Sequence, residues 1–153
     1  MSKFARKPIS INPSLAPTQP PVLMEHLPEQ FWEGVQQFNQ GQFYACHDTL
    51  EALWMEASEP SKSFYQGILQ LAVACYHLEN ENWRGTVILL GEGLAKLRNY
   101  QPDYGSVDVA QLICSSFELL SALQQAGPEA VGDFSQQLRA AQPSRTLQVQ
   151  RLA

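Results

Sequence analysis

From Phe31 onward, apolar side chains recur every three to four residues, the spacing of one buried helical face, and period-two alternation is nearly absent. Phe31, Val35 and Phe38 share a stripe, predicting a first helix after Pro28 that ends at Asn39-Gln40-Gly41, with Gly41 as a left-handed cap. A second helix is predicted from about Gln42 to Ala57, broken by Pro60. Ser61 is placed to cap a third, which ends at Asn80. A fourth starts at Trp83 and stops before Pro102. Ser106 is placed to cap a fifth, closed by Gly127, and Pro128 opens a shorter sixth. The pattern predicts an all-α fold: a helical bundle of about five to six helices, built as two stacked antiparallel helix hairpins with C-terminal helices closing the core. Its expected division is a Pro-rich extended arm over 1–27, a helical domain over 28–142 and a polar tail over 143–153.

A faint internal echo accompanies the pattern. Displaced by forty positions, Phe38 falls on Leu78, Phe43 on Trp83, Ala45 on Gly85, Leu50 on Leu90 and Trp54 on Leu94. Stacked helix hairpins would produce it. So would the general likeness of amphipathic helices.

Charge narrows the function classes. The chain has 10 Lys plus Arg against 15 Asp plus Glu, a net charge of −5. Lys3, Arg6 and Lys7 precede the first acidic residue, Glu25, so the rest of the chain is more acidic than the whole. No basic face remains for phosphates, and nucleic-acid binding is not expected. Charged and polar residues interrupt every apolar run, so no membrane span is predicted. Cys46, Cys75 and Cys114 form no C-x-x-C and lie in helix-like apolar segments, the pattern of reduced, buried thiols in a cytoplasmic protein. The N-terminal segment lacks a secretory signal's apolar core. It is basic and acid-poor like a transit segment, but its prolines favour an extended arm.

One feature breaks the apolar pattern. In Phe43-Tyr44-Ala45-Cys46-His47-Asp48-Thr49-Leu50-Glu51, two ionisable groups, His47 and Glu51, occupy the stripe that should be buried. At 100° per residue, Glu51 lies about 40° from His47, with Phe43, Leu50 and Trp54 on the same face and Asp48 turned about 100° away. The short turn near Glu59 makes the second and third helices antiparallel. That register sets Glu51 opposite Gln66 and Gln70, and His47 opposite the turn from Gln70 to Ala74. The third helix carries one polar stripe, Gln66, Gln70 and His77. Gly67 beside it suggests close approach by a bulky neighbour such as Trp54 or Glu51.

These residues resemble the DUF309 family of small helical proteins of unknown function. The family pattern is an N-x-G turn, an H-E-x-L-E-x-x-W helix, a Q-G-L-I-Q-L-A helix, then G-N-x-x-G-A and a leucine-rich helix. Asn39 and Gly41, then His47, Leu50, Glu51 and Trp54, then Gln66, Gly67, Gln70 and Ala72, then Asn82 and Gly85 stand at matching places, over roughly residues 31 to 100. Asp48 departs from the usual glutamate and Thr86 from the usual alanine. The resemblance implies an all-α bundle with a shared His/Glu/Trp/Gln constellation, and it brings no activity.

Three functions remain open for the cluster. His47, Glu51 and Gln70 could hydrogen-bond one another and only fix the hairpin's register. They could line a site for a small molecule or protein partner, with Trp54, Phe43, Phe64 and Tyr65 as apolar walls and Gln66 and His77 as further polar contacts. Or they could serve a metal-dependent or His/Glu acid–base enzyme, hydrolase-like in chemistry. The enzyme alternative is thin in groups: the antiparallel register puts His77 nearly two turns from His47, and Cys46 is turned away from it. No cofactor is assigned. Gly85, Gly91 and Gly93 follow no strand, so close helix packing explains them better than phosphate binding.

Overall fold

The computed structural model describes residues 26–141 and 146–153. The predicted extended arm lies almost wholly outside the described residues. Among these, six α-helices follow one another: α1 (Glu29–Asn39), α2 (Phe43–Glu56), α3 (Ser61–Glu79), α4 (Trp83–Leu97), α5 (Val109–Ala126) and α6 (Val131–Arg139). They form the expected all-α bundle. None of them is long and apolar enough to cross a membrane.

The bundle is organised around α3. Phe64, Tyr65, Ile68, Leu71, Ala72, Ala74, Cys75 and Leu78 are all buried, so its apolar surface runs almost all round the axis. Such a helix has to be covered on several sides. α2 covers one, α4 a second and α6 a third. Gly67 and Gly93 let α4 come close: a Cβ on Gly67 would stand 2.8 Å from Leu97, and one on Gly93 would stand 3.1 Å from the Gly67 carbonyl. The expectation that Trp54 or Glu51 fills the space at Gly67 is therefore corrected. Leu97, fully buried, fills it from α4. Gly85 instead sits under the Asn82 cap, and a Cβ on Gly91 would meet nothing within 4 Å.

Helix ends follow local chemistry. The Asn82 side chain accepts from the Gly85 N–H at 3.0 Å and starts α4. Two predicted caps are replaced. Ser61 is already helical and its hydroxyl pairs with the Tyr104 hydroxyl, while the Glu59 carboxylate accepts from the Ser63 N–H at 3.0 Å. Ser106 lies in a hairpin absent from the sequence reading, in which β1 (Asp103–Tyr104) pairs antiparallel with β2 (Val107–Asp108). Gly105 and Ser106 both have positive φ, 53° and 72°, as a two-residue type I′ turn demands. Asp108 caps α5 instead, accepting from the Gln111 N–H at 3.1 Å.

The forty-residue echo is physical at the turns. At the α1–α2 turn, Gln40, Gly41 and Gln42 donate to Gln36, Phe38 and Gln37. At the α3–α4 turn, Asn80, Glu81 and Asn82 donate to Tyr76, Leu78 and His77. Every partner is displaced by the same interval. Gly41 and Glu81 both take positive φ, 80° and 57°. The two hairpins thus share one turn geometry.

Residues 146–153, within the segment read from the sequence as a polar tail, bury Leu147 and Val149 against the body. The Asn39 amide holds both backbone groups of Val149, at 3.0 and 2.8 Å, and the Arg151 guanidinium lies 4.1 Å from the centre of the Trp32 ring.

The α3–α4 contact makes a paired prediction. Gly67→Ala should destabilise by about 1–2 kcal/mol, because overpacking outweighs the helix-propensity gain. Gly91→Ala has no such obstacle and should stabilise by up to about 1 kcal/mol. Urea denaturation of both variants measures the signs. A stabilised Gly67→Ala would show that α4 is not in close contact with α3.

Candidate functional site: a pocket between α2 and α3

The antiparallel register brings the polar stripes together. His47, Glu51 and Trp54 from α2 face Gln66, Leu69, Gln70 and Val73 from α3 across a pocket of about 240 Å³, and Leu89 of α4 closes one wall. Five of the seven residues singled out from the sequence thus line one space: His47, Glu51, Trp54, Gln66 and Gln70. Phe43 and His77 do not. With His47, Val73, Tyr44 and Tyr76, they line an adjoining space of about 180 Å³. His77 Nδ1 lies 3.3 Å from the Asn82 amide nitrogen. Phe43 is buried edge-on against Phe38.

Phe64 and Tyr65 were expected as further walls. Phe64 is instead fully buried among Phe31, Tyr100 and Tyr104, and Tyr65 stacks on Phe31. One and two residues before Gln66, they are rotated off its face by the helical twist.

The network imagined for a purely structural cluster is not formed. Gln70 donates to Glu92 of α4 at 3.3 Å, and no hydrogen bond links His47, Glu51 and Gln70 among the described residues. His47 Nδ1 instead lies 3.3 Å from Asp48 Oδ1. Asp48 is exposed and does not line the pocket, as its helical angle implies, but its carboxylate reaches the imidazole of its neighbour. One donor atom from each of His47, Asp48 and Glu51 falls within 4.8 Å of the others. Tyr44 stacks on the imidazole with ring centres 6.3 Å apart.

Several polar groups here lack protein partners. Glu51 and Gln66, both half-buried, make no hydrogen bond or ion pair to the described residues. Trp54 Nε1 and Gln70 Oε1 are buried without a partner. An unsatisfied buried polar atom costs about 1–3 kcal/mol, so two at one pocket are not incidental to stability. Trp54 is otherwise well held. Lys62 reaches from α3 to donate to its carbonyl at 2.8 Å, and the same ammonium lies 4.3 Å from the centre of its ring.

A larger space, about 570 Å³, lies between the ends of α1 and α3, α5 and α6, and the C-terminal residues. Most of its polar groups serve the fold. Asn39 holds Val149, the Gln148 amide donates to the Asn39 carbonyl, and Ser135 and Arg139 donate to the Glu79 carbonyl. Burial raises the pKa of the Glu79 carboxyl and Arg139 opposes the rise. Size alone does not make this the site, because its groups are engaged where those beside Glu51 are not.

One contributor escaped the sequence reading. Leu89 belongs to α4, and the glycine-mediated approach of α4 to α3 brings it to the pocket and Glu92 to Gln70. Cys46, next to His47, is fully buried, and desolvation pushes its thiol up to about 12. It is no nucleophile for the imidazole. Cys75 is raised the same way, whereas Cys114, expected in the interior, is exposed on α5.

Residues 31–89, the stretch from α1 into α4 that contains every residue lining the pocket, match the model of DUF309, a domain of unknown function, in agreement with the resemblance read from the sequence. No match is found among curated proteins.

The thiols make a simple check on this packing. In native protein one of the three should react rapidly with a thiol-specific disulfide reagent, and peptide mapping should identify Cys114. Rapid labelling of Cys46 would mean that the apolar side of α2 is open.

Proposed function

We propose that this protein is a binding module whose site is the α2–α3 pocket, receiving a small molecule or a single side chain of a partner. The observation that carries this reading is the gathering of unpartnered polar groups, Glu51, Gln66, Trp54 Nε1 and Gln70 Oε1, beside one apolar-walled space. A cluster serving only the fold would satisfy its members internally, since half-satisfied polar groups cost stability. Binding sites retain such costs because a ligand offsets them. At about 240 Å³ the space lies just below the usual range for small-molecule pockets, about 300–1,000 Å³. A side-chain-sized group fits it and a nucleotide does not.

The acid–base or metal alternative has one observation in its favour, the proximity of donor atoms on His47, Asp48 and Glu51. These three residues share one helical turn, and neither α3 nor α4 adds a fourth ligating group to them. The binding reading uses both helices and accounts for the unpartnered amide and indole, so it is preferred.

Stability separates a binding site from a structural network. Gln70→Met and Glu51→Gln should each leave unfolding free energy within about 0.5 kcal/mol of the parent or raise it by up to about 1 kcal/mol. Urea denaturation gives the value. Losses above about 1.5 kcal/mol for both would identify the cluster as a structural element and remove the basis of the proposal.

A further inference from the structure

Building on the binding reading, we infer that the pocket takes an organic cation: a guanidinium or ammonium group on a short apolar stem, the chemistry of an arginine or lysine side chain. Glu51 sets the preference. Its carboxylate is half-buried and has no ion pair to the described residues. A neutral ligand filling the space would strip water from that carboxylate without replacing its partner, which is costly. An anion would add repulsion. A cation turns the same burial into an attraction.

The neighbours have the same bias. Two more carboxylates touch residues that line the space without lining it themselves: Asp48 lies beside the imidazole of His47, and Glu92 accepts from Gln70. The buried Gln70 Oε1 is a further acceptor without a donor. Lys62, a cation in contact with the wall residue Trp54, is committed to that residue's carbonyl and ring. That contact also shows that the indole accepts a cation against its face. Leu69, Val73 and Leu89 provide the surface for an apolar stem. At longer range the chain's net charge of −5 attracts cations to the site.

The experiment follows the indole N–H resonances of Trp32, Trp54 and Trp83 in the full chain during titration. Trp83, whose N–H is bonded to the Leu123 carbonyl, reports that the fold is intact. The probes are n-butylguanidinium, n-butylammonium, the neutral alcohol n-pentanol, whose apolar stem is at least as long, a blocked Ala-Arg-Ala peptide and Zn²⁺. The cations should shift Trp54 and bind at least tenfold more tightly than pentanol, and Glu51→Gln should abolish that preference without moving Trp83. Tighter binding of the peptide than of butylguanidinium would assign the natural cation to a partner's side chain, and the reverse to a free metabolite. Either outcome supports the inference.

Equal or tighter binding of pentanol, or a cation preference that survives Glu51→Gln, would overturn the cation inference and leave the pocket reading standing. A response to Zn²⁺ with none to the organic cations would overturn it in favour of a metal site. Silence of Trp54 to every probe would overturn both readings.

Discussion

The structure depends on burying a helix that is apolar on nearly every side. α3 cannot lie on a surface, so α2 and α4 are drawn onto it and α6 covers a third flank. The α3–α4 approach is made possible by Gly67 and Gly93, where any Cβ would collide with Leu97, Leu71 or backbone. With α4 held that close, Leu89 walls the pocket and Glu92 reaches Gln70. On the opposite flank, α2 lies antiparallel to α3, so the polar residues interrupting its apolar stripe meet the stripe of Gln66 and Gln70 on α3. The pocket is therefore a consequence of core packing.

Duplicate architecture has not produced duplicate chemistry. The α1–α2 and α3–α4 turns match hydrogen bond for hydrogen bond at an interval of forty residues, and Leu50 and Leu90 are both fully buried. The counterparts of His47 and Glu51 at that interval are Val87 and Gly91, and the counterpart of Trp54 is Leu94. The second hairpin therefore repeats the scaffold while its helix is spent on packing against α3. The ionisable pair is confined to the first copy, where α2 buries fewer residues than α4 and leaves a half-buried carboxylate beside a cavity.

What the sequence made legible was what depends on period and turn. The stripe Phe31, Val35, Phe38, the cap at Gly41 and the antiparallel register of Glu51 against Gln66 and Gln70 all follow from 100° per residue and a short loop. The missing pieces depend on finer or more distant facts. The contact between His47 and Asp48 is not legible, because helical angle describes where Cβ starts and not where a side chain ends. The β1–β2 hairpin rests on two-residue strands too brief for alternation to show, although Gly105-Ser106 is a composition such a turn uses. Leu147 and Val149 lie in a polar context, and their burial depends on Asn39, more than a hundred residues away. The partner of Gly67 could not be chosen between α2 and α4 without knowing which helix approaches more closely.

A carboxylate from α2 and amides from α3 border one space, and the proposal is that a cation enters it. The most direct measurement is an electron-density map from crystals soaked in guanidinium. Planar density is expected in contact with the Glu51 carboxylate, within reach of the Gln70 amide and against the Trp54 indole. Glu51 turned out to bulk solvent, with hydrocarbon filling the gap between α2 and α3 and guanidinium bound only elsewhere, would contradict it.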